Sequence, residues 1–485
     1  MLDRHVVGLV VGPLLAMIAY LAMPDYVIEG AAADFNERSA ATVAAVLVLM
    51  GVWWMTEALP LPVTALVPLV LFPVLGVAEI GDVAAPYANK VIFLFLGGFV
   101  LALAMQRWKL HLRIALKVVL IVGSQPTRLV LGFMIATAVL SMWVSNTATA
   151  VMMLPIGMSV LRLVEKATGG EGDRNFSTAL MLGIAYAATI GSFGTIIASP
   201  PNALMVGYLE ETHGVVIGFG QWMLVGVPLS VVFLVLAWFV LTHVVFKPRL
   251  TVIPGEGQII RDEYEALGPM TAPLWRVAAV FLTAALSWVL IPVVWPGTPV
   301  TDEVIAVIVT VAVFLIPSGA RPGERLLGWQ DTSELPWGIL LLFGGGLALA
   351  SQISASGLSV WIGERVHLFA DLPPILLVAV VCLLTVVLTE FMSNTATAAT
   401  LIPIMGGVAV GLGLSPMMLV MPVALTAACT FMMPAATPPN AIAFSSGYVT
   451  IPDMIRGGAL LSMSGIVLIT ATMYTLGAWV FGLTF

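Results

Sequence analysis

Residues 145–150 and 393–398 are the same hexapeptide, Ser-Asn-Thr-Ala-Thr-Ala. Each copy is a patch of hydrogen-bonding groups inside a long apolar stretch, and each is followed by a proline, Pro155 or Pro403, ten residues after its serine. The same polar interruption in two hydrophobic halves leaves few architectures open. It is the pattern of a transporter built from inverted repeats, whose site is made by broken helices near the membrane midplane.

The medium follows from charge. Only 9% of the 485 residues are charged, 60% are hydrophobic and the mean hydropathy is +1.07. A soluble domain carries about 25% charged residues, so this chain is an integral membrane protein. Runs such as 6–23 and 224–241 approach the ~20 apolar residues of a spanning helix. Strand-period alternation is absent, which favours helices over a barrel. Cys382 and Cys429 lie in apolar segments and suggest no disulfide framework. His5, His111, His213, His243 and His367 show no metal-ligand spacing. No lysine directly follows a glycine, which excludes a Walker A loop and an internal ATP motor. The first apolar run lacks a small-residue cleavage site, so no cleavable signal peptide is expected.

Positive charge sets the topology. With the N-terminus in the cytoplasm, eleven spans and two re-entrant hairpins place all but three of the 19 lysines and arginines inside. Arg38, Lys90 and Arg365 are the three outside. The hairpins cover about 129–161 and 374–413. The spans run near 6–23, 39–57, 61–77, 85–106, 177–207, 220–245, 274–294, 301–317 and 336–354, with the last two ending near 448 and 483. Counting either hairpin as a true span spoils the charge bias. Outer loops lean acidic, with Asp25, Glu29, Asp34 and Glu37, then Glu210 and Glu211, then Asp302 and Glu303. Residues 1–37 form an N-terminal helix, 38–246 the first inverted repeat, 247–272 a cytoplasmic linker and 273–485 the second repeat.

The duplication extends further. Ser199-Pro200-Pro201-Asn202-Ala203 matches Thr437-Pro438-Pro439-Asn440-Ala441, Met223 with Gly226 echoes Met454 with Gly457, and residues 101–104 recur as 347–350. Consecutive prolines cannot sit inside a continuous helix, so the fifth and tenth spans break there. With the two hairpin tips this makes four breaks, related by pseudo-twofold symmetry. Their freed carbonyls suit a hard cation, and their helix N-termini and Asn or Thr side chains suit an anion.

No Lys, Arg or His occurs within 129–161, 176–207 or 373–450, and Glu390 is the one acid across those spans. An anion bound there would be an unpaired charge in low dielectric, which is very costly. It must travel with cations. Glu390 could be functional or could pair with a neighbouring helix. Glu57 is expected to be structural, and the clusters Gly97-Gly98 and Gly344-Gly345-Gly346 to be sites of close helix packing. The basic amphipathic helix 107–120 is expected in the interface, where it could also act as a mechanical arm.

These motifs, with residues 53–60 and 97–116 and the run Phe431-x-x-Pro434-Ala435-Ala436-x-x-x-Asn440-x-Ile442, resemble the divalent-anion/sodium symporter family over nearly the whole chain. Ala428 and Ala443 stand where that signature usually has serine and valine. The resemblance implies an all-α homodimer with a scaffold and an elevator-type transport domain, the latter about 128–207 and 373–448. It implies one sodium site at Ser141, Ser145, Asn146 and the backbone of Ala198. A second would use Thr389, Asn394 and the carbonyls of Met392 and Ala436. Substrate carboxylates would meet Ser145, Asn146, Thr147 and Ser199 from one half, and Ser393, Asn394, Thr395 and Thr437 from the other. The expected activity is sodium-coupled symport of a C4-dicarboxylate (succinate, malate or fumarate) across a bacterial plasma membrane, with no organic cofactor and no nucleic-acid partner. Dicarboxylate exchange and sodium-coupled citrate or sulfate carriage are the alternatives. An enzyme would need a nucleophile–base or metal constellation that the core lacks. A channel could also use broken helices.

Overall fold

Within each half a long helix, Lys90–Arg107 or Trp337–Ala355, is followed by a short one, Leu110–Val122 or Leu358–Arg365. A helical hairpin comes next: Pro126–Ser141 with Asn146–Ala167, or Pro374–Thr389 with Asn394–Gly411. A broken span follows, Arg174–Gly191 with Pro200–His213, or Met417–Ala427 with Pro438–Ser445. The half closes with a long helix, Phe219–Phe239 or Ile451–Thr472, and each of these ends in a π-helical turn. The computed structural model describes residues 4–24, 38–123, 125–167, 172–250, 258–365 and 372–483. Asp25, Glu29, Asp34, Glu37, His367 and linker residues 251–257 lie outside them. Among the described residues the fold is helical throughout, apart from an isolated bridge between Pro317 and Arg325.

Six expected spans are single helical stretches long and apolar enough to cross a bilayer, at 5–22, 39–56, 219–245, 272–294, 337–355 and 451–481, and the equally apolar stretch 80–107 is interrupted at Asn89, just before Lys90–Arg107. The eighth is the shorter helix Asp302–Leu315. The third span departs from expectation: 61–77 is two short helices, Leu61–Thr64 and Val67–Val74. Pro62 and Pro68 each sit in the first turn of one of them, where a missing N–H costs nothing. The kink at Ala65 packs on Gly345, whose Cβ would lie 2.7 Å from the Ala65 Cα, and Tyr87 donates its hydroxyl to the Ala65 carbonyl. Gly97 meets Ala306 equally closely, at 2.6 Å. The glycine clusters are therefore packing sites.

The amphipathic helix begins at Leu110, after a left-handed turn at Lys109 (φ 57°). Arg113 is buried and donates to the carbonyls of Leu267 (3.1 Å) and Gly268 (2.5 Å), fastening this helix to the linker helix Gln258–Ala266.

The halves interlock. Pro438–Ser445 packs on hairpin helix Asn146–Ala167, and Pro200–His213 packs on Asn394–Gly411. Each hairpin therefore leans on the broken span of the other repeat, which brings all four interruptions to one place.

Candidate functional site

The prolines of the Pro-Pro-Asn motifs start helices; they do not end them. Pro200-Pro201 and Pro438-Pro439 occupy the first two positions of their helices, where the N–H a proline lacks would have had no partner. The irregular backbone lies just upstream, at 192–199 and 428–437. Asn202 and Asn440 hold it. Asn202 donates its side-chain amide to the carbonyls of Ser192 (3.0 Å) and Thr195 (3.1 Å). Asn440 does the same to Thr430 and Met433, both at 3.1 Å. Both asparagines are fully buried, so the motif's conspicuous polar residue staples a loop and does not line the site. Each loop is also pressed from behind by a glycine of the closing helix. A Cβ on Gly226 would strike the Phe193 carbonyl, and one on Gly458 would lie 2.5 Å from the Phe431 carbonyl carbon. The partner of Gly226 is thus Gly458, one residue beyond the Gly457 that sequence spacing suggested.

A cavity of about 480 Å³ opens where the breaks meet. Ser145, Asn146, Thr147, Ala198 and Ser199 line it from the first half, and Ser393, Asn394, Thr395, Ala436 and Thr437 from the second. All eight sequence-predicted substrate residues are therefore brought together. The facing wall was not foreseen: Phe99, Ala102, Leu103 and Gln106 come from Lys90–Arg107, and Glu334, Leu335, Pro336 and Ile339 from the start of Trp337–Ala355 and the turn before it. Among the described residues no lysine, arginine or histidine lines the cavity, and Glu334 is its one ionisable side chain.

Four helices begin at this cavity, at Asn146, Pro200, Asn394 and Pro438. Each N-terminus carries the equivalent of about half a positive charge, so all four favour an anion in the cavity without supplying a full counter-charge. Thr437 spends its hydroxyl as a helix cap, accepting from the Asn440 N–H at 3.5 Å. Ser199 and Ser393 make no such capping bond and keep their hydroxyls for the cavity.

Behind each asparagine lies an oxygen cluster. Ser141 Oγ, with one proton to donate, lies within hydrogen-bond reach of both Asn146 Oδ1 (2.8 Å) and the Ala188 carbonyl (2.5 Å). In the second half Thr389 Oγ1 likewise lies within reach of both Asn394 Oδ1 (3.1 Å) and the Ala427 carbonyl (2.7 Å). Three neutral oxygens so close together, on a buried hydroxyl, a side-chain amide and a main chain, suit a hard cation. Ser141 and Thr389 are fully buried and sit outside the cavity wall, and Met392 is half-buried in the second hairpin turn. The family resemblance named the backbones of Ala198, Met392 and Ala436 for these sites; the carbonyls that meet Ser141 and Thr389 are those of Ala188 and Ala427, while Ala198 and Ala436 line the cavity.

The sequence alone leaves Glu390 open to a functional role or to helix pairing. Its carboxylate accepts backbone N–H groups from Phe431, Met432 and Met433 at 2.9–3.3 Å and a weak bond from Ser462 at 3.4 Å. It pairs with a loop, not with a charged side chain.

A family model described as the sodium:sulfate symporter transmembrane region matches residues 14–483. The sodium-dependent dicarboxylate transporter SdcS of Staphylococcus saprophyticus is 39% identical, over 99% of this chain and 92% of its own length. SdcS of a Staphylococcus aureus strain is 38% identical, over 97% and 91%. Two solved transporters share the fold alone. YdaH of Alcanivorax borkumensis matches with a TM-score of 0.59 at 12% identity, covering 99% of both chains. MtrF of Neisseria gonorrhoeae matches with a TM-score of 0.61 at 14% identity, covering 100% of this chain and 96% of its own. These relatives are named as transporters, not enzymes. A match over nearly the full length, joined to duplicated Ser-Asn-Thr and Pro-Pro-Asn motifs that meet at one cavity, places this chain in the sodium:sulfate symporter family, the divalent-anion/sodium symporters.

Proposed function

We propose that this protein carries C4-dicarboxylates such as succinate, malate or fumarate into a bacterial cell together with sodium ions. One observation carries the proposal: four helix N-termini and a set of hydroxyls converge on a cavity whose lining holds no basic side chain. Helix ends stabilise an anion by only about 0.3–1 kcal/mol each, far less than a buried dianion costs. Cations must supply the remainder. The oxygen clusters at Ser141–Asn146 and Thr389–Asn394 adjoin the cavity through the two asparagines, so ion and carboxylate would share Asn146 and Asn394. Two sodium ions neutralise a dianion, and a third makes transport electrogenic. The substrate residues are then Ser145, Asn146, Thr147, Ser199, Ser393, Asn394, Thr395 and Thr437. Ala198 and the Met392 and Ala436 carbonyls complete the ion sites.

The cavity sits between the hairpins with their broken spans on one side and residues 99–106 and 334–339 on the other. This supports an elevator in which the former group moves against the latter, in a homodimer with its N-terminus in the cytoplasm of a bacterial plasma membrane. The moving body extends to His213, because Pro200–His213 is one helix. The SdcS relatives, named as sodium-dependent dicarboxylate transporters, support the choice of cargo.

The test is uptake of radiolabelled succinate into proteoliposomes under sodium, lithium or potassium gradients, with citrate and sulfate as competitors. Sodium alone should drive concentrative uptake, and Asn146→Ala or Asn394→Ala should abolish it. Uptake that ignores sodium but requires internal dicarboxylate would replace symport with exchange. Stronger competition by citrate or sulfate than by malate would reassign the cargo.

A further inference from the structure

Two polar contacts join parts of the chain that the elevator proposed above must separate. Glu210 and Glu211 lie in the last turn of Pro200–His213, at the far end of the moving body. Asn89 and Lys90 open the helix Lys90–Arg107 of the facing wall. Lys90 Nζ pairs with Glu210 Oε1. Asn89 Nδ2 donates to Glu211 Oε2 at 2.7 Å, and its own cap holds it in aim, because its Oδ1 accepts from the Val91 N–H at 3.0 Å.

Neither charge suits its own helix. A lysine at a helix's first residue faces the positive end of the dipole, and a glutamate in a last turn faces the negative end. Each is relieved by the other. The Glu210 side chain is only 14% exposed, so it has little water to turn to instead. Asp302 and Glu303 line the same cleft, of about 320 Å³, and Lys90 therefore keeps acidic neighbours when Glu210 leaves.

The contacts belong to one position of the body. On Lys90–Arg107 the cavity is walled by Phe99 to Gln106, about 14–24 Å along the helix from Lys90 and in the half nearest Arg107. With Arg107 inside and Lys90 outside, as the positive charges require, the cavity here faces the cytoplasm. Carrying it to the outer half slides Pro200–His213 past Asn89 and Lys90 and breaks both contacts. In inverted repeats the opposite position is reached when the second repeat takes up the contacts of the first. Counted from the matches of 101–104 with 347–350 and of 199–203 with 437–441, Leu335 and Pro336 replace Asn89 and Lys90, and Tyr448 and Val449 replace Glu210 and Glu211. The helix Pro438–Ser445 has also ended by then. No ion pair can form there.

We propose that Lys90–Glu210, with Asn89–Glu211 beside it, is a one-sided clasp that biases the carrier toward its cytoplasm-facing position. The proposal rests on the elevator reading above. An empty carrier waits with its site open to the cytoplasm, and weakening the clasp raises the share that faces outward.

The test uses a reporter cysteine, Ala148→Cys, in the cavity wall of the moving body. It is labelled with a membrane-impermeant maleimide in right-side-out and in inside-out membrane vesicles. Cys382 and Cys429 are buried and give little background. The reporter alone should label faster from the cytoplasmic side. Adding Glu210→Gln or Lys90→Met should raise the outside rate about two- to fivefold, the range for an exposed ion pair, with no rise from the cytoplasmic side. The double variant should gain no more than either single one, because both remove the same contact. Raising ionic strength with choline chloride should give the intact clasp part of the same gain and leave Glu210→Gln unmoved. That arm needs no substitution in the clasp. A measurable outside rate that both substitutions leave unchanged would overturn the clasp and leave the elevator standing. So would a rise from both sides, the mark of a loosened fold. A reporter labelled from one side alone in every variant, in a carrier that still takes up succinate with sodium, would remove the elevator reading and the clasp with it.

Discussion

Gly458→Ala tests whether the broken-span loop is held by close backbone packing. An alanine Cβ at 458 would sit 2.5 Å from the Phe431 carbonyl carbon and 2.8 Å from the Met432 nitrogen. Ordinary carbon–carbon contact needs about 3.5 Å, so helix and loop must part by about 1 Å. The Phe431 and Met432 N–H groups now sit 2.9 and 3.1 Å from Glu390 Oε1, and a shift of that size takes both beyond useful hydrogen-bond length. Overpacking of this kind costs about 1–3 kcal/mol, and better helix propensity returns at most about 1 kcal/mol. A misplacement of about 1 Å at a positioned site can cost about a hundredfold in rate. We expect sodium-driven succinate uptake per inserted protein to fall by tenfold or more, and the apparent Tm in detergent to drop. Gly457→Ala is the control. Its Cβ would meet only side-chain atoms, of Phe246 (3.2 Å), Leu241 (3.3 Å) and Leu182 (3.8 Å), which can move aside. It should transport within twofold of wild type. Equal behaviour of the two variants would refute the packing argument, as would wild-type uptake from Gly458→Ala.

The two threonines of each hexapeptide should behave oppositely. Thr147 and Thr395 line the cavity, so under the proposed function Thr147→Val or Thr395→Val removes a hydrogen bond to the cargo worth about 1 kcal/mol and should raise the succinate KM about fivefold in uptake assays. Thr149 and Thr397 are fully buried, with hydroxyls that find no hydrogen-bond partner among the described residues. Valine there should leave uptake within twofold and the Tm equal or higher. His111 gives a pH signature. Burial lowers its pKa, against the opposing effect of its bond to the Met105 carbonyl (2.9 Å). Below the ordinary histidine value of about 6.5 the unfolded chain takes up a proton that the folded chain resists, so stability is full above that pH and is lost as pH falls through it. Apparent Tm should decline on acidification from pH 7 toward 5, and His111→Gln should flatten the slope. A slope unchanged by that substitution would assign it to other groups.

What could be read from sequence was whatever had been duplicated. Ser145–Thr147, Ser393–Thr395 and the two Pro-Pro-Asn motifs announced both hairpins, both broken spans and their convergence, because a polar group at membrane depth needs a reason to be there. Details carried by backbone geometry were hidden. Pro200 and Pro438 signalled a break correctly, but the irregular turn lies before them, since proline is at ease in a helix's first turn. The kink at Ala65 depends on its meeting with Gly345 and Tyr87, which are distant in sequence. Gln106 and Glu334 reach the cavity only through packing of one half against the other. Glu390 could be flagged as unusual, but its partners are main-chain N–H groups at 431–433, which no residue type marks.

The most direct measurement is calorimetric binding of succinate to the purified protein, in sodium chloride and in choline chloride. If cations alone neutralise the cargo in this base-free cavity, succinate will bind only with sodium present. Succinate will then tighten sodium binding by the same factor that sodium tightens succinate. Equal succinate affinity in choline would mean that the chain itself supplies the missing positive charge, and Asn146, Asn394 and their oxygen clusters would then not be the seat of coupling.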